Sequence, residues 1–356
     1  MKVLALTEGA DHVCCRYRIE AFAGALAERG ALLTTLPLAT TTWGRLQQFR
    51  QAGRADMVIL QRKLLPIWQL QLLRRCAQRL IYDFDDALFH RDSYSRKPAE
   101  SWTRLSRFWA TVYAADLVVA GNEYLANRAR TYIEPCRVAV LPTCVTPNHY
   151  PVARHERQGE GIELVWIGQH STLPSLSQAE ACLAAAADAI PGLGLRVICD
   201  RFPKLAGLPI RAVQWSRGSE ATNIAAADIG INWLPDDPWS QGKCGLKVLQ
   251  YMSAGLPVVG NPVGMNREMI VPGETGFLAS TPEEWSEAVR QLAYCAALRR
   301  RMGAAARALV NARYSVARWS EEFASLILGH GSERLEGTHF TSSQNRTPVS
   351  YVEAAA

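Results

Sequence analysis

Two lysines and two glycines in one short stretch define the first candidate chemistry. Residues 228–250 read DIGINWLPDDPWSQGKCGLKVLQ, with Lys243 and Lys247 four positions apart among Gly242, Gly245 and Leu246. The Pro/Asp/Gly segment after Trp233 predicts a loop, and the following apolar run predicts a helix from Gly245 or Leu246 to a glycine cap at Gly255. On such a helix Lys247 and Gln250 share a face and Lys243 sits just before it. A helix start prefers acids, and this one offers lysine, a mismatch of a few tenths of a kcal/mol for exposed charges. A bound anion reverses the sign. Free N–H groups, glycines that admit close approach and two ammonium groups describe a diphosphate site. A solvated lysine pair on a surface helix is the alternative at this point.

Other candidates stand where strands should end. Asp83, Asp85 and Asp86 follow the apolar run Leu80–Tyr82. Three mutually repelling carboxylates suit recognition of a sugar hydroxyl, proton acceptance or a divalent ion, with helix capping as the plainer role. Arg16 and Arg18 follow the first strand and its loop Glu8–Ala10, Arg62 follows Met57–Gln61, and Asn122 and Glu123 follow Leu117–Ala120. Arginine at such positions can meet phosphate, and Asn122 or Glu123 can line an acceptor side. Trp215 ends the run Ala212–Trp215 and is either buried or available for stacking. Glu220 reads as the capping charge of the next helix, and His90 and His170 are nearby candidate histidines.

The elements that must hold these residues alternate. Expected strands are Lys2–Leu6, Met57–Gln61, Leu80–Tyr82, Leu117–Ala120 and Val138–Leu141. After residue 160 they are Glu163–Ile167, Leu195–Cys199, Ala212–Trp215, Ile229–Trp233, Pro257–Gly260 and Gly276–Leu278. Helical stretches between them imply an α/β protein with parallel sheets, whose ligands bind at strand carboxyl ends. Pro142–Gly161 breaks the pattern and reads as a linker, and 356 residues suffice for two domains. Thr281, Pro282 and Glu284 mark a capped helix start, and a last helix is expected over Val316–Leu328. The polar segment after Gly329 is expected to be disordered.

Nine scattered cysteines without ligand spacing suit reduced thiols in a cytoplasmic protein. No apolar run is long enough for a membrane span. The net charge of +6 arises in the first half of the chain. A basic first half suits a polyanionic acceptor or the anionic inner face of a membrane, or only a soluble surface, and no nucleic-acid motif accompanies it.

The segment from Gly245 to Leu278 resembles the signature of retaining glycosyltransferases of family 4, also called glycosyltransferase group 1. Matching residues are Gly245, Gly255–Val259, Gly264, Glu268 and the run Gly273-Glu-Thr-Gly-Phe-Leu278. The resemblance implies the GT-B fold: two Rossmann-like domains whose parallel sheets face each other across a cleft. It places an acceptor domain at 1–150, a nucleotide-sugar domain at 151–315, a helix crossing back at 316–329 and a tail at 330–356. The family's two motif glutamates fall on Gly242 and Gln250. The resemblance implies that Gln250 meets the donor ribose, that Trp215 borders the base, and that the contact of the first glutamate is lost or moved to Lys243 or a nearby aspartate. Gly168, Ser171 and Thr172 follow the first strand of the second half, where the family usually keeps a basic residue. Lys243 and Lys247 are the expected replacements. The implied activity is transfer of a sugar from a nucleoside-diphosphate donor to a glycan or lipid-linked hydroxyl, with retention, and without cofactor or metal. A non-catalytic nucleotide-sugar or glycan-binding protein and a nucleotide-sugar epimerase are the alternatives.

Overall fold

The computed structural model describes residues 1–9, 12–205 and 207–329. Ala10 of the loop after the first strand and the tail 330–356 lie outside the described residues. The first sheet contains β1 (Lys2–Thr7), β2 (Leu32–Pro37), β3 (Met57–Gln61), β4 (Leu80–Phe84), β5 (Leu117–Ala120) and β6 (Val138–Val140), in the order β2-β1-β3-β4-β5-β6. The second contains β7 (Glu163–Ile167), β8 (Gly194–Cys199), β9 (Ile210–Gln214), β10 (Ile229–Asn232), β11 (Val258–Gly260) and β12 (Gly276–Leu278), in the order β12-β11-β10-β7-β8-β9. Every neighbouring pair is parallel. This is the GT-B architecture that the resemblance implies.

β3, β4 and β7 are buried along their whole lengths, as parallel strands covered on both faces must be. β2 is the strand absent from the sequence reading. It lies at the sheet edge, and its residues alternate between partial burial and exposure, so no continuous apolar run marks it.

Helices Thr42–Ala52, Ile67–Cys76, Trp102–Ala114 and Glu123–Arg130 cover one face of the first sheet through Phe49, Leu70, Leu73, Phe108, Val112 and Leu125. The opposite face is covered by Phe22 and Leu26 together with the last helix, Val316–Leu328. That helix belongs in sequence to the far side of the second domain. It returns because its apolar stripe of Trp319, Phe323 and Ile327 needs a partner. Phe323 stacks on Phe22 with ring centroids 4.3 Å apart. Arg79 donates to the carbonyls of Leu326 and Ile327, which the helix end leaves open. At the crossing, Val145 N donates to Tyr314 O (3.0 Å) and Val316 N donates to Val145 O (2.9 Å), so the outgoing linker and the returning chain pair side by side.

Phe323→Ala should therefore destabilise the first domain by about 3–5 kcal/mol, the usual cost of emptying a buried aromatic site. Urea unfolding followed by circular dichroism checks this, and a change below about 1 kcal/mol would show that the returning helix is not anchored as described.

Candidate active site

The carboxyl ends of β1, β3, β4 and β5 meet the second domain, and the chemistry of the molecule collects there. The acidic end of β4 is the centre. Asp83 is buried and takes Arg18 in a forked pairing, with Nη2 to Oδ1 at 2.6 Å and Nε to both oxygens at 3.1 Å. Arg18 spends another donor on the carbonyl of Leu141 (2.9 Å). The expectation that Arg18 meets phosphate and that Asp83 faces a substrate is thereby corrected. Both are sealed within the first domain and satisfied by each other, since neither charge is tolerable there alone.

Asp85 and Asp86 share Arg62. Its Nη1 reaches Asp85 and its Nη2 reaches Asp86, both at 2.5 Å. Arg62 follows β3 directly, in a left-handed backbone conformation with φ 57°, unusual for a residue with a side chain. Burial drives the Asp85 carboxyl upward, yet Arg62 and then Arg18 outweigh it and hold it at about 2. The repulsion expected of three adjacent carboxylates is thus cancelled by two arginines. A third cation comes from the other domain: Lys243 Nζ lies 3.0 Å from Asp86 Oδ1 and 5.0 Å from the centre of the Trp239 ring.

Lys243 can reach Asp86 because two glycines let the backbones touch. A Cβ on Gly242 would stand 2.8 Å from Ala87 N and 3.0 Å from a methyl of Leu125. One on Gly121 would overlap the Cys244 sulfur. Asn122 caps helix Glu123–Arg130 with its oxygen and donates its nitrogen to Lys243 O (3.3 Å). Tyr124 donates to Pro238 O, and the hydroxyls of Ser93 and Ser240 pair at 3.1 Å. Glu123 pairs instead with Arg130 and stays exposed.

Helix Leu246–Ser253 starts one residue past Gly245, which takes φ +69° and leaves the helix without a side-chain cap. Lys247 extends back toward the turn after β7. Its Nζ lies 4.1 Å above the centre of the Trp166 ring and 3.4 Å from the Thr172 hydroxyl. Burial, then the nearby charge of Lys243, lowers its pKa to about 7. Gly168 lies in the same turn, where the Trp166 ring leaves no room for a Cβ. Ser171 is exposed there, and His170 pairs with Asp200 (2.7 Å) at the surface. Leu246 packs partly buried on the core of the second domain.

Gln250, three residues past Lys247, is buried and donates to the hydroxyl of Tyr17 (3.2 Å). Tyr17 belongs to the first domain and also pairs with Tyr150 (2.8 Å) and Glu220 (3.1 Å). Arg16 reaches Glu220 at 2.5 Å, and the Trp215 indole N–H donates to its other oxygen at 2.9 Å. Glu220 stands in the first turn of helix Glu220–Ala225, as expected, but its carboxylate does more than favour the helix start. It is the buried acceptor on which both domains converge. Trp215 is partly buried through that bond.

Tyr17, Tyr150 and Trp166 escaped the sequence reading, because single aromatic residues carry no spacing signal. His12 escaped it too. It caps helix Val13–Arg18, with Cys14 N donating to Nδ1, and burial followed by the Arg62 charge lowers its pKa. Burial, then the Arg128 charge, likewise lowers the pKa of His90, whose backbone bridges Glu100.

Residues 239–309 match the family of glycosyl transferases group 1. No protein of curated function matches the chain in sequence. Among solved structures, sucrose-phosphate synthase from Thermosynechococcus elongatus superposes with a TM-score of 0.71 at 16% identity, over 93% of this chain and 98% of that one. Anabaena HepE in complex with UDP and glucose gives 0.66 at 13%, over 92% and 100%. The lipopolysaccharide outer core galactosyltransferase WaaB in its apo form gives 0.60 at 10%, over 93% and 100%. At these identities the likeness is one of fold.

Lys247 sets the pH behaviour of any anion in this turn. Its ammonium is half neutral near pH 7, whereas a bound diphosphate favours the charged form. Binding above pH 7 must then take up a proton, and UDP affinity should fall as pH rises from 7 to 9. Calorimetry in buffers of different ionisation enthalpy at pH 8 should reveal the uptake. Lys247→Ala should abolish it and weaken UDP by at least about tenfold, ~1.4 kcal/mol. An unchanged affinity would remove this lysine from the site.

Proposed function

We propose that this chain, which has the GT-B fold and carries the group 1 signature over residues 239–309, transfers a sugar from a nucleoside-diphosphate donor to a glycan or lipid-linked hydroxyl with retention. The observation that carries the proposal is the convergence of Lys243, Lys247 and the uncapped start of helix Leu246–Ser253 at the mouth between the two sheets. The leaving diphosphate gains negative charge as the glycosidic bond lengthens, and preformed positive groups stabilise that change. Lys247 and Thr172 take the phosphate side, and the helix N–H groups add to them. No metal is needed, because these cations do the neutralising.

Gln250 and Trp215 receive the ribose and base. Both now bond to Tyr17 and Glu220, so the donor enters by exchanging these contacts. Gly242 occupies the position of the signature's first acid and has no room for a side chain against Ala87. Asp86 takes over the negative role from the opposite wall, a short distance from Lys243. Arg62 frames the acceptor side, with Asn122 holding the Lys243 backbone, while Arg16 stays beside Glu220 on the base side and is available to a donor phosphate. Domain closure excludes water and so limits donor hydrolysis. The protein acts in the cytoplasm with a basic first domain turned to the anionic inner membrane face. Among the described residues no helix is long and apolar enough to cross a membrane.

The packing of Gly242 also favours a second reading, a donor-binding protein without turnover. Incubation with radiolabelled UDP- and GDP-sugars decides among the possibilities. Slow release of free sugar that persists in EDTA supports the transferase. Inert tight binding supports the second reading, and an altered sugar nucleotide supports an epimerase. Asp86→Asn should lower turnover by about 10²-fold or more, the range for losing one preorganised electrostatic group, while UDP affinity changes little. Equal loss of both would assign Asp86 to domain closure alone.

A further inference from the structure

Three neighbouring helices of the first domain turn six large apolar side chains to solvent. Trp43 opens helix Thr42–Ala52, Ile67 and Trp68 open Ile67–Cys76, and Trp102 opens Trp102–Ala114; Trp102 is 86% exposed. The three helices lie side by side on one face of the first sheet. Each follows a strand carboxyl end, so their first turns lie along the same edge as the cleft. On the third helix Trp109 and Tyr113 stand seven and eleven residues after Trp102, which at 3.6 residues per turn gives one stripe. Their rings stack, with centroids 5.9 Å apart. Between Trp68 and Trp102 runs an open groove of about 460 Å³ bordered by Ile67, Ser106 and Arg107.

The charge on this face has one sign. The three helices hold six arginines, Arg45, Arg50, Arg74, Arg75, Arg104 and Arg107, and no acid. Of the acids that flank these helices in sequence, Glu100 stands just before the third helix and Asp116, just after it, pairs with Arg74 at 3.0 Å. A second copy of the chain would set arginine against arginine across a twofold axis. An anionic partner is required, and one that accepts both an exposed isoleucine and the edges of several indoles. Tryptophan and tyrosine are the side chains that settle at the boundary between lipid headgroups and hydrocarbon, and arginines beside them pair with anionic headgroups.

We propose that the Trp43–Trp68–Trp102–Trp109 face docks on an anionic lipid bilayer, presenting the cleft to an acceptor held in that membrane. The proposal deepens the transferase reading and rests on it for the identity of the acceptor, while docking itself is measured without turnover. The full chain is sedimented with vesicles of phosphatidylcholine, with and without phosphatidylglycerol, as tryptophan emission is recorded. Binding should require phosphatidylglycerol and shift the emission to the blue. Replacing Trp68, Trp102 and Trp109 together by serine removes rings that are about half exposed or more, and should lower vesicle affinity at least about tenfold while UDP affinity measured by calorimetry is retained. Arg75→Glu with Arg107→Glu should do the same. Vesicle binding untouched by the serine variant, absent in the unaltered chain, or weaker than binding of a single-stranded oligonucleotide would overturn the inference. So would a dimer that the serine variant dissolves, which would assign the face to a second copy. Intact UDP binding and donor hydrolysis without vesicle binding defeat the docking alone, whereas loss of both in the unaltered chain defeats the transferase reading.

Discussion

One arginine organises the mouth of the cleft. Arg62 neutralises Asp85 and Asp86 together, and it does so from a left-handed backbone that aims its guanidinium along the end of β4. Without it, two adjacent carboxylates in a buried strand end would each carry a desolvation cost of several kcal/mol and repel each other besides. With it, one edge of Asp86 is left for Lys243, and the two domains meet through a shared charge. The Arg18–Asp83 pair beneath supports this layer. It occupies the third carboxylate entirely within the first domain, so that only Asp86 is offered across the gap.

Contact across the gap is of two kinds, one just before helix Leu246–Ser253 and one along it. On the Lys243 side, glycines bring backbone against backbone, and the packing is steric and unforgiving. On the Gln250 side the contacts are hydroxyls and carboxylates: Tyr17, Tyr150, Glu220 and Arg16. Polar contacts of this kind exchange with a ligand at modest net cost, because each bond given up is replaced by another. Lys247 lies between them in sequence, its ammonium pKa lowered by burial over Trp166 and then by Lys243.

Much of the fold could be read from the chain. The continuous apolar runs of β3, β5 and β7, and the Thr281 capping box, are local signals with local causes. β2 was missed because an edge strand beside solvent need not be apolar throughout. The short helix Pro238–Gln241, inside what read as an irregular loop, is nucleated by the Asp237 side chain and is too brief to show a period. For the site, glycine, lysine and a helix start singled out the stretch around Lys243 and Lys247, and the structure brings both lysines to the gap between the domains. The pairing of Arg18 with Asp83 and the role of Glu220 were not. They join residues 65 or about 200 positions apart, and no local pattern records which arginine will neutralise which acid.

The pairing of Val145 with Tyr314 and Val316 has a mechanical consequence. The chain passes between the domains twice, and both passes are stitched together at one point. A rotation about an axis through that point moves the far walls of the cleft by many ångströms while stretching neither covalent connection. The pivot thus lies at the seam of the two crossings, and the aperture opens like a pair of covers on a single spine.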